Sequence, residues 1–414
     1  VGRRKVKFLS SLRKRIRPDN PGRVIIVDPG CLDRAGHHAR LNRLLADHYR
    51  QSDERTLRLL VHKDCEPDLV ADLGAEAVLA PSIYIGMPDT PNELEARLSQ
   101  RNARLREELL SQLGAPREND TVVVHSITVW TLSGLTDWLA QGKSSNIGAR
   151  IILMFPPSLD FVDMNRQPGE EELNLLEAEF EGAVKRLGHL RMDIRLATES
   201  KSFARSLSAT TQVRIETLSL PIEYGNQDAA PQNDDDGDTP PLFFFPGVGR
   251  KEKGFYNLPG AIRAYQAAGG HGRFLIQYAE DEDVAAELRA LPNVEIFGRL
   301  VFGAEYLKLI TDADAIIAAY DPARYGLRAG HIVVEALGSG RPVIVTRGTW
   351  MQEVVESLTA ECGVAAESFT PDALGQALTR FDQNRLALRQ GAAEIAQTVR
   401  KSHSRDAFLK QFLS

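Results

Sequence analysis

The chain has 414 residues, 43% hydrophobic and 26% charged, with a formal net charge of −6. That length exceeds one average core and predicts two domains, in a composition typical of a soluble globular protein. No run approaches the roughly 18 uninterrupted apolar residues of a membrane span, the start is not a secretory signal, and the cysteines Cys31, Cys65 and Cys362 have no metal-ligand spacing, which suits a reducing cytosol.

The first 23 residues carry Arg3, Arg4, Lys5, Lys7, Arg13, Lys14, Arg15, Arg17 and Arg23 against Asp19 alone. Phe8, Leu9, Leu12 and Ile16 are spaced to share a helical face between those charges. Residues 1–23 therefore read either as a segment lying on an anionic membrane surface or as a solvated basic arm, closed by Pro18 and Pro21. Nucleic acid is not an expected partner, because the rest of the chain is acidic and has no recognisable binding module.

Apolar runs then alternate with helical patterns, the signature of parallel α/β architecture. The first series predicts strands at RVIIVD (23–28), TLRLLV (56–61), AVLA (77–80), TVVVHS (121–126), RIILMF (150–155) and DIRLAT (193–198). Between the third and fourth, Leu94, Leu98, Leu105, Leu109 and Leu113 mark an amphipathic packing helix. Residues 225–240, GNQDAAPQNDDDGDTP, have little to bury and several like charges, so they read as an acidic linker, and the run Asp234, Asp235, Asp236 as solvated charge and not a metal site. The second series predicts strands at PLFFFP (241–246), RFLIQY (273–278), VEIFG (294–298), AIIAAY (315–320) and PVIVT (342–346), followed by a helical carboxyl-terminal stretch. The expected domains are 24–224 and 241–395, with 396–414 a last helix that packs back on the first domain.

Two segments at the carboxyl ends of strands in the second series have chemistry to offer. In FFFPGVGRKEKGF, glycines let the backbone approach a ligand, and Arg250 and Lys253 are spaced to reach one diphosphate; GxGxxG is excluded because position 252 is Glu252. In YGLRAGHIVVEALGSGRPVIVT, Gly330 and His331 are expected to open a helix whose free N–H groups and dipole face an anion, with Glu335 a turn further on, positioned for sugar hydroxyls. A basic surface turn and an ordinary helix-to-strand connection account for the same residues. Arg250, Lys253 and a helix dipole together would neutralise a departing diphosphate without a metal or other cofactor.

These residues bring a family into view. GVGRKEKGFYNLPGAI, NVEIFGRLVFGAEYLKLITDADAIIAAY and HIVVEALGSGRPVIV occur in the order and spacing of the nucleotide-binding domain of retaining GT-B glycosyltransferases of the family 4 (group 1) type, which the second half of the chain resembles over roughly residues 242–350. The resemblance implies an α/β chain of two Rossmann-like doubly wound domains facing a central cleft. It implies a hexosyltransferase of glycan biosynthesis that uses a nucleotide-sugar donor, UDP- or GDP-linked, and a carbohydrate, lipid-linked or protein acceptor. Arg250 and Lys253 would hold the diphosphate, Gly298 to Leu300 would lie against the base, and Glu335 would bind the ribose. The family pattern has a first glutamate where this chain has Leu327. Asp321 and Arg328 are the nearest polar residues to serve instead, although Asp321 precedes Pro322 and also suits a turn.

The first half resembles the family more weakly. Gly36, His37 and His38 stand at an expected helix start, where the family places a glycine turn near the phosphates, and a paired histidine is also an ordinary helix opening. His125 closes a predicted strand where the family often has a histidine against the donor sugar, and a structural histidine fits there equally. The loop with Pro156, Pro157, Ser158 and Asp160 would line an acceptor pocket. Two other functions fit the same residues, a nucleotide-sugar 2-epimerase of the same fold and a non-catalytic nucleotide-sugar-binding module. The absent first glutamate weighs against the epimerase and suits the binding module.

Overall fold

The computed structural model describes residues 22–34, 37–52, 54–83, 88–142, 149–156, 169–222, 239–279, 281–301 and 303–413. The basic arm up to residue 21, Gly36, Asp234 to Asp236, and Pro157, Ser158 and Asp160 lie outside them. Among the described residues no helix is long and apolar enough to cross a membrane.

Two sheets organise the chain. The first is built from β1 (Arg23–Asp28), β2 (Thr56–His62), β3 (Glu76–Leu79), β4 (Thr121–Val124), β5 (Arg150–Phe155), β6 (Asp193–Thr198) and β7 (Glu216–Thr217), in the order β3-β2-β1-β4-β5-β6-β7. The second contains β8 (Leu242–Gly249), β9 (Arg273–Ala279), β10 (Val294–Ile296), β11 (Ala315–Ala318), β12 (Val343–Thr346) and β13 (Gly363–Ala366), in the order β10-β9-β8-β11-β12-β13. Neighbouring strands are parallel from β3 to β5 and throughout the second sheet. Both sheets are doubly wound, and each reverses its strand order once, at β1/β4 and at β8/β11. The chain divides into two compact units, one reaching Ala197 and including Leu207–Ile215, the other comprising Thr198–Ser206 and the chain from Glu216.

The apolar strand runs follow from burial on both faces of a sheet. Phe244 packs on one face of the second sheet with Val333, Val334 and Leu337, while Phe243 and Phe245 pack on the other with Phe255, Ile262 and Leu374. Alternation along three consecutive phenylalanines thus supplies both cores.

Several expected boundaries shift for identifiable reasons. The strand expected to end at Pro246 continues to Gly249, because pairing with β9 resumes after an irregularity between Phe245 and Val248 where Pro246 has no N–H to give the ladder. His125 and Ser126 lie just beyond β4. The helix expected to open at Gly330 and His331 runs over Ile332–Gly338, with His331 as its cap residue. The carboxyl-terminal stretch contains β13 as well as helices, and its helix Arg385–Ser402 runs unbroken past residue 395 within the second unit.

One backbone approach locks the turn after β8 to the end of β11. Gly254 has φ +81°, and a Cβ there would lie 2.4 Å from the Ala319 carbonyl oxygen. Gly254→Ala is expected to lower unfolding free energy by at least ~2 kcal/mol, from left-handed strain plus the clash, read as a shift in the denaturant midpoint at unchanged slope.

Candidate functional site

In the second unit, Arg250, Lys253 and Asp321 lie at the carboxyl ends of β8 and β11, where the strand order reverses, while Gly298 and Leu300 follow the edge strand β10. Arg250 caps a short 3₁₀ turn, Lys251–Lys253, that closes onto Gly254. Lys253 Nζ lies over the Tyr320 ring, 5.9 Å from its centroid, and 3.3 Å from where a Cβ on Gly247 would be, so the ammonium hangs above the glycine turn. Between the two cations, Glu252 has a buried Oε1 with no hydrogen bond among the described residues. Its backbone oxygen accepts from Asp321 N at 2.8 Å, tying the turn to the end of β11.

Tyr320 and Tyr325 pack at 4.6 Å between ring centroids, and Arg328 lies 5.3 Å over the Tyr325 ring. Burial, then the Tyr325, Glu335 and Glu252 groups, pushes the Tyr320 phenol well above its ordinary range, so it stays protonated at neutral pH. Asp321 caps the helix Pro322–Tyr325, accepting from Ala323 N at 2.9 Å. Leu327 is exposed. Glu335 is held by Tyr306, whose hydroxyl donates to its Oε2 at 2.8 Å; burial and Glu335 keep that phenol protonated too. Gly330 is buried against Met351, and His331 pairs through Nε2 with Glu199 Oε2 at 2.6 Å. The His331 ring is thus engaged within the protein by Glu199.

Gln277 was not singled out from the sequence, yet it joins two parts of this region. Its buried side chain accepts from Gly247 N at 2.5 Å and donates to Val301 O at 3.1 Å, while its backbone oxygen accepts from Gly298 N at 3.1 Å. One residue thereby spaces the glycine turn from the Gly298 to Leu300 segment, where Leu300 is exposed and a Cβ on Gly298 would meet nothing within 4 Å. A polar residue inside the run RFLIQY was the available signal.

In the first unit, the reversal at β1/β4 holds a polar network around Asp28. The Asp28 carboxylate is buried and accepts from Gly30 N at 3.0 Å, His38 Nδ1 at 2.8 Å and Asn42 Nδ2 at 2.6 Å. His125 Nε2 reaches Asn42 Oδ1 at 2.8 Å and Asp28 Oδ2 at 3.3 Å. His37 stacks on His38 at 4.3 Å between centroids and meets Ser126 Oγ at 3.1 Å. Burial alone would push the Asp28 carboxyl up, but the charges of His38 and His125 and their hydrogen bonds outweigh it and hold it well below the usual carboxylate range. His38 and Asn42 share a face of the helix His38–Ser52, four residues apart, and that spacing was the sequence signal for the network.

No family model matches the chain, and no curated protein matches it in sequence. Solved structures do. A glycosyltransferase from Rickettsia africae superposes with a TM-score of 0.62 at 15% identity, covering 95% of this chain and 97% of that one. Anabaena Alr3699/HepE in complex with UDP gives 0.61 at 11% identity, with coverage of 94% and 98%. The fold is that of the GT-B glycosyltransferases. It is shared more widely, because a proposed UDP-N-acetylglucosamine 2-epimerase from Listeria monocytogenes gives 0.52 at 13% identity, with coverage of 92% and 96%. These GT-B likenesses span nearly the whole chain.

Two substitutions probe the two GT-B units separately. If Arg250 and Lys253 hold a diphosphate, as the sequence leads one to expect, Lys253→Ala should weaken nucleotide-sugar binding or turnover by more than about tenfold, roughly the 1.4 kcal/mol of a charged contact, and unchanged binding and rate would refute that expectation. Asp28→Asn turns a buried anion into an amide facing two imidazoles and Asn42, and should cost about 3 kcal/mol of stability near neutral pH. Because the native carboxyl titrates below its unfolded value, the Asp28 contribution is present above the unfolded value and fades as pH falls through the native one. The wild-type advantage in melting temperature should therefore shrink on acidification, as differential scanning calorimetry would show.

Proposed function

We propose that the chain is a glycosyltransferase that moves a hexosyl group from a nucleoside diphosphate sugar to a hydroxyl acceptor. The observation that carries this reading is Arg250 and Lys253 on the glycine turn at the β8/β11 reversal, beside Glu335 anchored by Tyr306. Arg250 and Lys253 neutralise the leaving diphosphate, so charge that develops as the anomeric C–O bond breaks meets fixed cations. Tyr306 holds one oxygen of Glu335 and so orients the carboxylate for ribose hydroxyls. UDP is the favoured donor nucleotide, since structures similar to this one are complexes with UDP, and with UDP and glucose. A carbohydrate acceptor draws support from a similar structure, that of Staphylococcus aureus TarM, which holds fondaparinux and α-GlcNAc-glycerol.

The transfer proceeds with retention and without a metal in the chemical step, as the resemblance implies. The acceptor oxygen bonds to the anomeric carbon on the face the diphosphate leaves, and its proton passes to the departing phosphate oxygen. Glu252, with its buried unsatisfied oxygen, is the carboxylate best suited to a sugar hydroxyl in place of the absent first glutamate at Leu327. The buried thiols of Cys31, Cys65 and Cys362 suit a cytosolic location.

The exposed side chain of Leu327 favours one second reading, a nucleotide-sugar binder without turnover. A single series of assays separates the two. Thermal-shift screening of nucleotides and nucleotide sugars identifies the donor, with UDP-sugars expected to raise the melting temperature. The selected donor is then incubated with the protein, and transfer or slow hydrolysis releases free nucleotide. No release over a long incubation means a binder. Nuclear magnetic resonance of a transferred product should show the donor's anomeric configuration, and an inverted linkage would overturn the retaining mechanism.

A further inference from the structure

We propose that His37, His38 and His125 form a binding site for a divalent first-row transition-metal ion of the zinc class. One ligand nitrogen from each of the three rings lies within 4.8 Å of the other two. A metal-binding imidazole must present a lone pair to the ion while its other nitrogen donates to an outer acceptor that fixes ring and tautomer. Two of these rings are already held that way. His38 Nδ1 lies 2.8 and 3.0 Å from the two oxygens of Asp28, so its proton sits there and, in the neutral ring, Nε2 carries the lone pair. His125 Nε2 faces Asn42 Oδ1 at 2.8 Å, and the Asn42 amide is oriented by its donation to Asp28 at 2.6 Å; His125 Nδ1 is then the acceptor nitrogen.

Ser126 Oγ lies 3.1 Å from His37 Nε2 and 3.2 Å from His125 Nδ1. It therefore marks the side on which an oxygen ligand, the hydroxyl itself or a water, would complete a four-coordinate shell. Asp28 places one negative charge just outside the ligands, as in carboxylate–histidine–metal arrangements, and offsets part of the ion's charge. Imidazole donors select zinc-like ions over magnesium or calcium, which take oxygen ligands.

Metal–nitrogen bonds of about 2.0–2.1 Å separate tetrahedral ligands by about 3.3 Å, so loading draws the rings together. His38 cannot shift far toward Gly30, where even a Cβ would lie 2.3 Å from its Cε1. His125 is buried as well, and His37, half-buried, is the ring expected to move.

Metal binding is measured without nucleotide, so this inference stands apart from the sugar-transfer reading. The full chain, stripped with a chelator, is titrated with Zn²⁺ by calorimetry and with Co²⁺ by visible absorption. One ion per chain is expected, with the intense spectrum of tetrahedral Co²⁺. His37→Ala and His125→Ala should each lose more than about 100-fold in affinity, and Asn42→Ala the 10- to 100-fold typical of an outer-shell partner. His48→Ala, further along the same helix, should bind as wild type. No uptake, a weak six-coordinate Co²⁺ spectrum, or unchanged affinity in His37→Ala would each overturn the site. Circular dichroism checks that variants fold, and if His125→Ala does not, His37→Ala decides.

Discussion

Right-handed crossovers force the helices that follow two adjacent parallel strands onto opposite faces wherever strand order reverses, and a crevice opens at the strands' carboxyl ends. The Asp28 network and the cationic turn each stand at such a reversal. Asp28 and His125 stand at the ends of β1 and β4, and the Arg250 to Gly254 turn and Asp321 at the ends of β8 and β11. Apolar packing covers both faces of the second sheet, so its opening is where polar side chains can gather without a core to exclude them.

The two openings solve the problem of polar burial differently. In the first unit, a buried anion is satisfied by backbone and side-chain donors until its environment favours the charged form, and the imidazoles are fixed by that anion. In the second, aromatic rings floor a cationic turn, and the phenols beneath it stay neutral because burial and neighbouring carboxylates oppose their ionisation.

Much of the architecture was legible because doubly buried parallel strands read as uninterrupted apolar runs, as in RVIIVD, TVVVHS and PLFFFP. The strands that escaped notice lack that signal: Glu216–Thr217 is two residues at a sheet edge, and Gly363–Ala366, GVAA, has one β-branched residue among small ones. At the candidate site, Arg250 and Lys253 were legible because charge beside glycine is local information. Asn42 and Glu199 are less so, because each also depends on a partner remote in sequence: Asn42 meets His125 across 83 positions and Glu199 meets His331 across 132. The remaining site residues depend on loop conformation, which composition does not encode.

The grip of Gln277 has a consequence for how such a domain diversifies. Among the described residues, its amide hydrogen-bonds main-chain atoms, Gly247 N on one side and Val301 O on the other. The side chains of the segment from Gly298 to Val301 are therefore absent from the joint that fixes where the segment runs. The surface along that edge can thus be rewritten by substitution while the joint beneath keeps its dimensions.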